Sequence, residues 1–145
     1  MQDLPHNYIV SASAEGANNV TVSAAGLPDL ETAGPPQFGG PGDVWSPETM
    51  LVGSVANCFI LSFRAIARKA KLDWVTLECE VDGELDKIEK FNQFTNFKVM
   101  ARLVITDEQY RKKAETILEK AEKYCLISNS LKAPAHLETE VIVAD

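Results

Sequence analysis

A chain of 145 residues and 15.9 kDa has room for one compact domain, and a hydrophobic content of 46% is enough to fill its core. The formal net charge is -7, and no Lys or Arg occurs before Arg64: residues 1–63 carry six acids (Asp3, Glu15, Asp29, Glu31, Asp43, Glu48), against 14 bases and 15 acids in residues 64–145. This distribution argues against a basic surface that follows nucleic acid, against an Arg-rich transit peptide and against a secretory signal with a basic start.

Residues 7–13 and 19–25 alternate apolar and polar positions through Tyr8, Val10, Ala12 and Val20, Val22, Ala24. They predict two short strands joined at Glu15-Gly16-Ala17-Asn18. Residues 26–45 are rich in Gly and Pro and read as a structured loop with room for one more short strand; they contain no phosphate-binding glycine pattern. A helix start follows. Ser46 suits the N-cap and Pro47 the first helical position, Glu48 lies in the first turn, and Trp45 and Met50 occupy the staple positions. The helix is predicted to run to about Ala70. Its apolar residues go all the way round, so it should be buried on most sides. A domain this small covers such a helix best with a second subunit, which predicts a dimer. The longest uncharged stretch, Thr49–Phe63, is 15 residues, short of the roughly 20 that a membrane span needs. The chain therefore reads as a soluble, cytoplasmic protein of one domain, residues 1–145, without membrane partners.

Beyond this helix, Val75, Leu77, Cys79 and Val81 alternate with polar residues, and so do Phe97, Val99, Ala101, Leu103 and Ile105, giving two strands around a polar loop near Lys87–Gln93. A second helix is predicted over about 107–125, with Tyr110, Ala114, Ile117, Leu118, Ala121 and Cys125 on one face. Leu137, Thr139, Val141 and Val143 predict a last strand. The order is β-β-(loop)-α-β-β-α-β, an α+β fold.

Two histidines, His6 and His136, stand near opposite ends of the chain, and Cys58, Cys79 and Cys125 show no metal-ligand spacing. No metal site is expected, and a Ser-His-Asp triad would have to use a terminal histidine. Cys79, on the apolar face of a strand, reads as a core residue. Cys58 and Cys125 lie on the inward faces of the two helices. Packing could bring their sulfurs together as a redox pair, although buried packing roles fit each residue equally well on its own.

Ser46-Pro47-Glu48-Thr49-Met50-Leu51 with Ala56-Asn57-Cys58-Phe59 resembles the first-helix motif of the OsmC/Ohr family of thiol peroxidases. Ala121-Glu122-Lys123-Tyr124-Cys125-Leu126-Ile127-Ser128-Asn129-Ser130-Leu131 resembles that family's second-cysteine motif, and Phe38-Gly39-Gly40-Pro41-Gly42-Asp43 fits one OsmC-like subgroup. The likeness covers about residues 7–143. It implies an intertwined homodimer with a long buried central helix and active sites shared between subunits. It also implies reduction of organic hydroperoxides to alcohols without a cofactor, and recycling by a dithiol reductant such as a lipoylated protein. Cys58 matches the peroxidatic residue, Cys125 the resolving one, and Glu48 the first-turn acid that holds an arginine beside the reactive sulfur.

A free cysteine with a pKa near 8.5 is only about 3% ionised at pH 7, so the chemistry needs a group that stabilises the thiolate. Glu48 precedes Cys58 by ten residues, about 15 Å along a helix and roughly 80° around it. Within one helix the two cannot share a site, so Glu48 is expected from the partner's antiparallel copy. The arginine that the resemblance places on the N-terminal strands is missing here. Arg64 and Arg68 point away from Cys58 on its own helix, and Arg102 lies on the opposite strand face. Two other readings compete: a binding or stress protein on the same fold with little peroxidase activity, and a general dithiol oxidoreductase, which the absence of a CxxC disfavours.

Overall fold

The computed structural model describes all 145 residues. They form two compact units, Met1–Leu51 and Val52–Asp145.

The first unit is a three-stranded antiparallel meander, β1 (Ser11–Ser13), β2 (Val20–Ser23) and β3 (Leu30–Thr32). The strands are shorter than the alternation predicts, and the extra strand inside the Gly/Pro-rich segment is β3. Thr32 is buried and its hydroxyl donates to the Val20 carbonyl at 3.1 Å, which locks β3 onto β2. Beyond β3 the chain makes a single 3-10 turn, Pro36–Phe38, closed by Gly39 at φ 83°, a left-handed conformation that glycine adopts without steric cost. Gly40 is packed against the backbone of Gly34 and Pro35; a Cβ at this position would overlap the Gly34 carbonyl. The amide of Ala33 donates to the Trp45 carbonyl at 3.0 Å, so the two ends of the loop are tied together.

That tie delivers Ser46 to the start of α1 (Pro47–Ala70). The Ser46 hydroxyl accepts from the Thr49 amide at 3.1 Å, and the Thr49 hydroxyl accepts from the Ser46 amide at 2.9 Å. This reciprocal pair satisfies two backbone donors at the helix start, with Thr49 in the place usually held by Glu or Gln. The helix begins in the first unit, continues without a break into the second, and stops at Lys71, whose φ of 53° is left-handed.

The second unit is built on a sheet of order β4-β5-β6. β4 (Trp74–Ile88) and β5 (Phe91–Ile105) form a long antiparallel hairpin closed by Glu89-Lys90, and β6 (Ala135–Val143) lies parallel to β5. The expected loop near Lys87–Gln93 is mostly strand: Asp86 pairs with Gln93 and Lys87 with Asn92. The ladder is made of backbone groups, so exposed polar side chains can extend it where hydrophobic alternation gives no signal.

One sheet face carries Phe97, Val99, Ala101, Leu103 and Ile105, all at most 4% exposed. The buried row of α1 is Val55, Phe59, Phe63 and Ala67, and that of α2 (Arg111–Lys123) is Ala114, Ile117, Leu118 and Ala121. Phe63 meets Trp74 of β4 edge to face, with ring centroids 5.3 Å apart. Arg111 donates from Nη1 to the Val141 carbonyl at 2.7 Å and is held by Glu108 through two further hydrogen bonds, which anchors α2 beside β6. At 24 residues and a mean hydropathy of 1.7, α1 is long and apolar enough to cross a membrane by length and composition. Its buried row, Val55, Phe59, Phe63 and Ala67, lies in the core of the second unit.

Two glycines permit close approaches of different kinds. A Cβ on Gly83 would lie 2.8 Å from Val52 Cγ2 and 3.1 Å from both Phe94 and Phe97, side chains that can shift. The overlap at Gly40 is with backbone, which cannot. Gly83→Ala is expected to cost about 1 kcal/mol and Gly40→Ala about 3 kcal/mol in urea unfolding. An equal or smaller loss at Gly40 would contradict this assignment.

Candidate active site

The second unit brings two of the expected site residues together. Cys58 sits midway along α1, half-buried, and Cys125 lies in the core at 1% exposure. All three cysteines are free thiols, and Cys58 is close enough to Cys125 to act on its thiol.

Cys125 is not on the second helix, as its wheel position predicts. α2 ends at Lys123, Tyr124 turns at φ -101°, ψ 9°, and Cys125 is extended at φ -65°, ψ 104° as the first flanking residue of a short helix, α3 (Leu126–Asn129). The sequence that follows explains the break. The Asn129 side-chain amide donates back to the Lys123 carbonyl at 3.0 Å, the Ser130 hydroxyl donates to the Leu126 carbonyl at 2.8 Å, and the Ser128 hydroxyl donates to Cys125 Sγ at 3.4 Å. Short polar side chains compete with a continuing helix by bonding nearby backbone, and here Asn129 and Ser130 do so. The junction therefore aims the sulfur inward while its neighbours Tyr124 and Leu126 stay exposed, at 62% and 65%.

Several influences act on the Cys125 thiol. Burial, the largest, pushes its pKa above the ordinary thiol value; the hydrogen bonds from Ser128 pull it down; the hydrogen bond to Cys58 and the charge of Cys58 push it up again. Two adjacent sulfurs cannot both ionise readily, so the pair favours one thiolate at a time. Cys58 has a hydroxyl of its own one helical turn away, Ser62 Oγ at 4.0 Å. Ser62 is not marked in the sequence, and Ser128, although part of the second-cysteine motif, has no role assigned to it there. Their signals are spacings alone, four residues along a helix and C-x-x-S, and both occur often by chance.

Cys79 faces the same interior from β4, opposite Ala101. Burial, and secondarily the charge of Cys125, push its thiol up to about 11. It is held as a thiol, in keeping with the core role expected from its strand position.

Glu48 lies in the first turn of α1, in the first unit. Its Oε2 is shielded from solvent and has no hydrogen-bond partner. A buried carboxylate oxygen usually has a donor, and none comes from this chain. Among the arginines, Arg102 pairs with Glu78 and Glu140 across the sheet, and Arg111 with Glu108. Arg64 and Arg68 are exposed on α1 and form no ion pair. No group of three or more His, Cys, Asp or Glu side chains is placed to hold a metal ion.

The chain is similar to known proteins over most of its length. Residues 40–140 match the family described as OsmC-like protein. The uncharacterized protein YmaD of Bacillus subtilis is 26% identical over 144 residues, 95% of each chain. An OsmC-like protein of unknown function from Vibrio cholerae superposes with a TM-score of 0.84 at 17% identity, covering 95% of this chain and all of that one. An organic hydroperoxide resistance protein OsmC from Legionella pneumophila superposes with a TM-score of 0.76 at 24% identity, over 97% of this chain and all of that one.

The raised Cys79 pKa gives a direct test. At pH 8 in the native protein Cys79 should label with iodoacetamide far more slowly than a free thiol, and its rate should climb about tenfold per pH unit until about pH 11. Rapid labelling of Cys79 at pH 8 would refute the assignment. With Cys58 and Cys125 side by side, Glu48 awaiting a donor, and most of its length matching one family, the chain belongs to the OsmC-like proteins.

Proposed function

We propose that this protein is a cysteine-based peroxidase that reduces organic hydroperoxides to alcohols. The observation that carries the reading is the pairing of a half-buried Cys58 with a buried Cys125, both free thiols, in an OsmC-like chain. The Cys58 thiolate attacks the distal peroxide oxygen. The O–O bond breaks, the alkoxide takes up a proton to leave as alcohol, and Cys58 becomes a sulfenic acid. Cys125 then displaces hydroxide from that sulfur to form a disulfide, and a dithiol such as a lipoylated protein restores both thiols by exchange. The apolar residues of α1 around Cys58 favour substrates with a hydrocarbon body over hydrogen peroxide. The names of similar structures, organic hydroperoxide resistance proteins, support a redox role as well.

The working form is a cytoplasmic homodimer. Only 22% of the most apolar window of α1 is buried in one copy, Leu61 is half exposed, and Glu48 Oε2 lacks a donor. A second copy covers the apolar surface, and Arg64 and Arg68 are the arginines free to meet the carboxylate. In the dimer, Glu48 of the partner subunit belongs to the Cys58 site. The family match runs across the boundary between the two compact units, which supports reading residues 1–145 as one domain.

Two measurements test this. Stopped-flow mixing with cumene hydroperoxide should give a burst of one equivalent in the wild type and in Cys125→Ser, and none in Cys58→Ser; under dithiol recycling Cys125→Ser should lose steady turnover. A wild type without a burst rejects the peroxidase reading and leaves an OsmC-fold binding protein. Sedimentation equilibrium should return twice the 15.9 kDa chain mass, and a monomer at micromolar concentration would remove the shared site.

A further inference from the structure

We propose that Ser128 is the positioning residue for the resolving step: its hydroxyl holds the Cys125 sulfur as a nucleophile aimed at Cys58. The inference rests on the peroxidase reading above and concerns how the second sulfur is made ready.

The geometry is specific. Ser128 Oγ donates to Cys125 Sγ at 3.4 Å, and this sulfur is the only hydrogen-bond partner of that hydroxyl in the chain. The segment around it is fixed independently. Asn129 bonds back to the Lys123 carbonyl, the Asn129 amide donates to the Cys125 carbonyl at 3.0 Å, and Ser130 bonds the Leu126 carbonyl. The Ser128 side chain is therefore not needed to hold the junction, and its hydroxyl is free to serve the sulfur.

The chemistry needs such a donor. At 1% exposure Cys125 has no water to stabilise its thiolate, and no cation bonds it. In the resolving step the thiolate attacks Cys58 Sγ, the S–S bond forms and the S–O bond of the sulfenic acid breaks. The departing hydroxide takes up the proton that Cys125 released, giving water. No further oxidant is consumed. The competing fate of the sulfenic acid is attack by a second hydroperoxide, which leaves a sulfinic acid on Cys58. Ser128 thus sets the partition between disulfide and overoxidation. The ionisable group that acts on Cys125 is Cys58 from α1, while Cys79 on β4 is itself raised by Cys125. Ser128 opposes both burial and Cys58 by donating to the charged form.

The experiment compares wild type, Ser128→Ala and Ser128→Thr. After mixing with cumene hydroperoxide, acid-quenched mass spectrometry reads disulfide against Cys58 sulfinic acid. Ser128→Ala should keep the first burst within twofold, form the disulfide about tenfold more slowly, and accumulate correspondingly more sulfinic acid, while Ser128→Thr restores the wild-type partition. In parallel, the 13Cβ shift of Cys125 in reduced cysteine-labelled protein should titrate about one pH unit higher in Ser128→Ala. A purely structural role would lower the melting temperature while leaving partition and midpoint at wild-type values, and that result overturns the proposal. The titration does not depend on peroxide. A wild type with no burst therefore defeats the peroxidase reading, and the midpoint still decides whether Ser128 holds the sulfur.

Discussion

The arrangement depends on where one buried sulfur is held. Cys125 lies in the core of the second unit, beside Cys58, because the chain breaks between α2 and α3 immediately before it. A continuous helix through residue 125 would have carried the sulfur along the α2 face with its helical neighbours. The break costs backbone hydrogen bonds at the end of α2, and Asn129 returns one of them by bonding the Lys123 carbonyl. The second-cysteine motif is thus a structural device as well as a chemical one. Its Asn and second Ser hold the turn, and its first Ser bonds the sulfur.

The opposite wall of the pair is α1, and its position follows from local chemistry at its start. Ser46 and Thr49 close the first turn reciprocally, so the helix begins at Pro47 without fraying. Val55, Phe59, Phe63 and Ala67 then form the buried row that fixes the rotation of α1 about its axis. Cys58 precedes Phe59 and is turned about 100° from it, which leaves its sulfur half-buried. Truncating a phenylalanine in such a row costs about 3–5 kcal/mol, so the rotation is strongly specified. The peroxidatic candidate is held at the margin of the core and the resolving one inside it, which matches the different access that a substrate and an internal nucleophile require.

Much of this was legible in the sequence, for physical reasons that differ by element. The start of α1 was marked by residue types whose side chains have defined capping geometry, and the buried faces of β5 and α2 followed from their apolar periods. The tip of the β4–β5 hairpin was not legible, because Asp86, Lys87, Asn92 and Gln93 contribute only backbone to the pairing. The break at Tyr124 was not legible either. Cys125 continues the apolar arc of α2, no Gly or Pro marks the turn, and the bonds that make it run backward from residues further along the chain. Within the site, Cys58, Cys125 and Glu48 were picked out by residue type and resemblance. Ser62 was missed and Ser128, though part of the quoted motif, had no role assigned, because a serine near a cysteine shows no contact until the distance is known.

The absence of any base before Arg64 takes on a definite meaning at this site. Three cations of the second unit are engaged where they stand: Arg102 between Glu78 and Glu140, Lys98 with Glu138, and Arg111 with Glu108. The bonds that do reach the paired sulfurs come from neutral groups, Ser128 to Cys125 and Ser62 beside Cys58. A hydroxyl favours a thiolate less than a guanidinium does, but its effect does not fade with salt as a long-range charge interaction does. If thiolate formation in the assembled protein relies on these hydroxyls, peroxide reduction should vary little between low and high ionic strength. If Arg64 or Arg68 of a second copy supplies an exposed charge at the site, activity should fall as salt rises. The two sources of thiolate stabilisation that the charge distribution leaves open therefore separate by a salt titration of the burst rate.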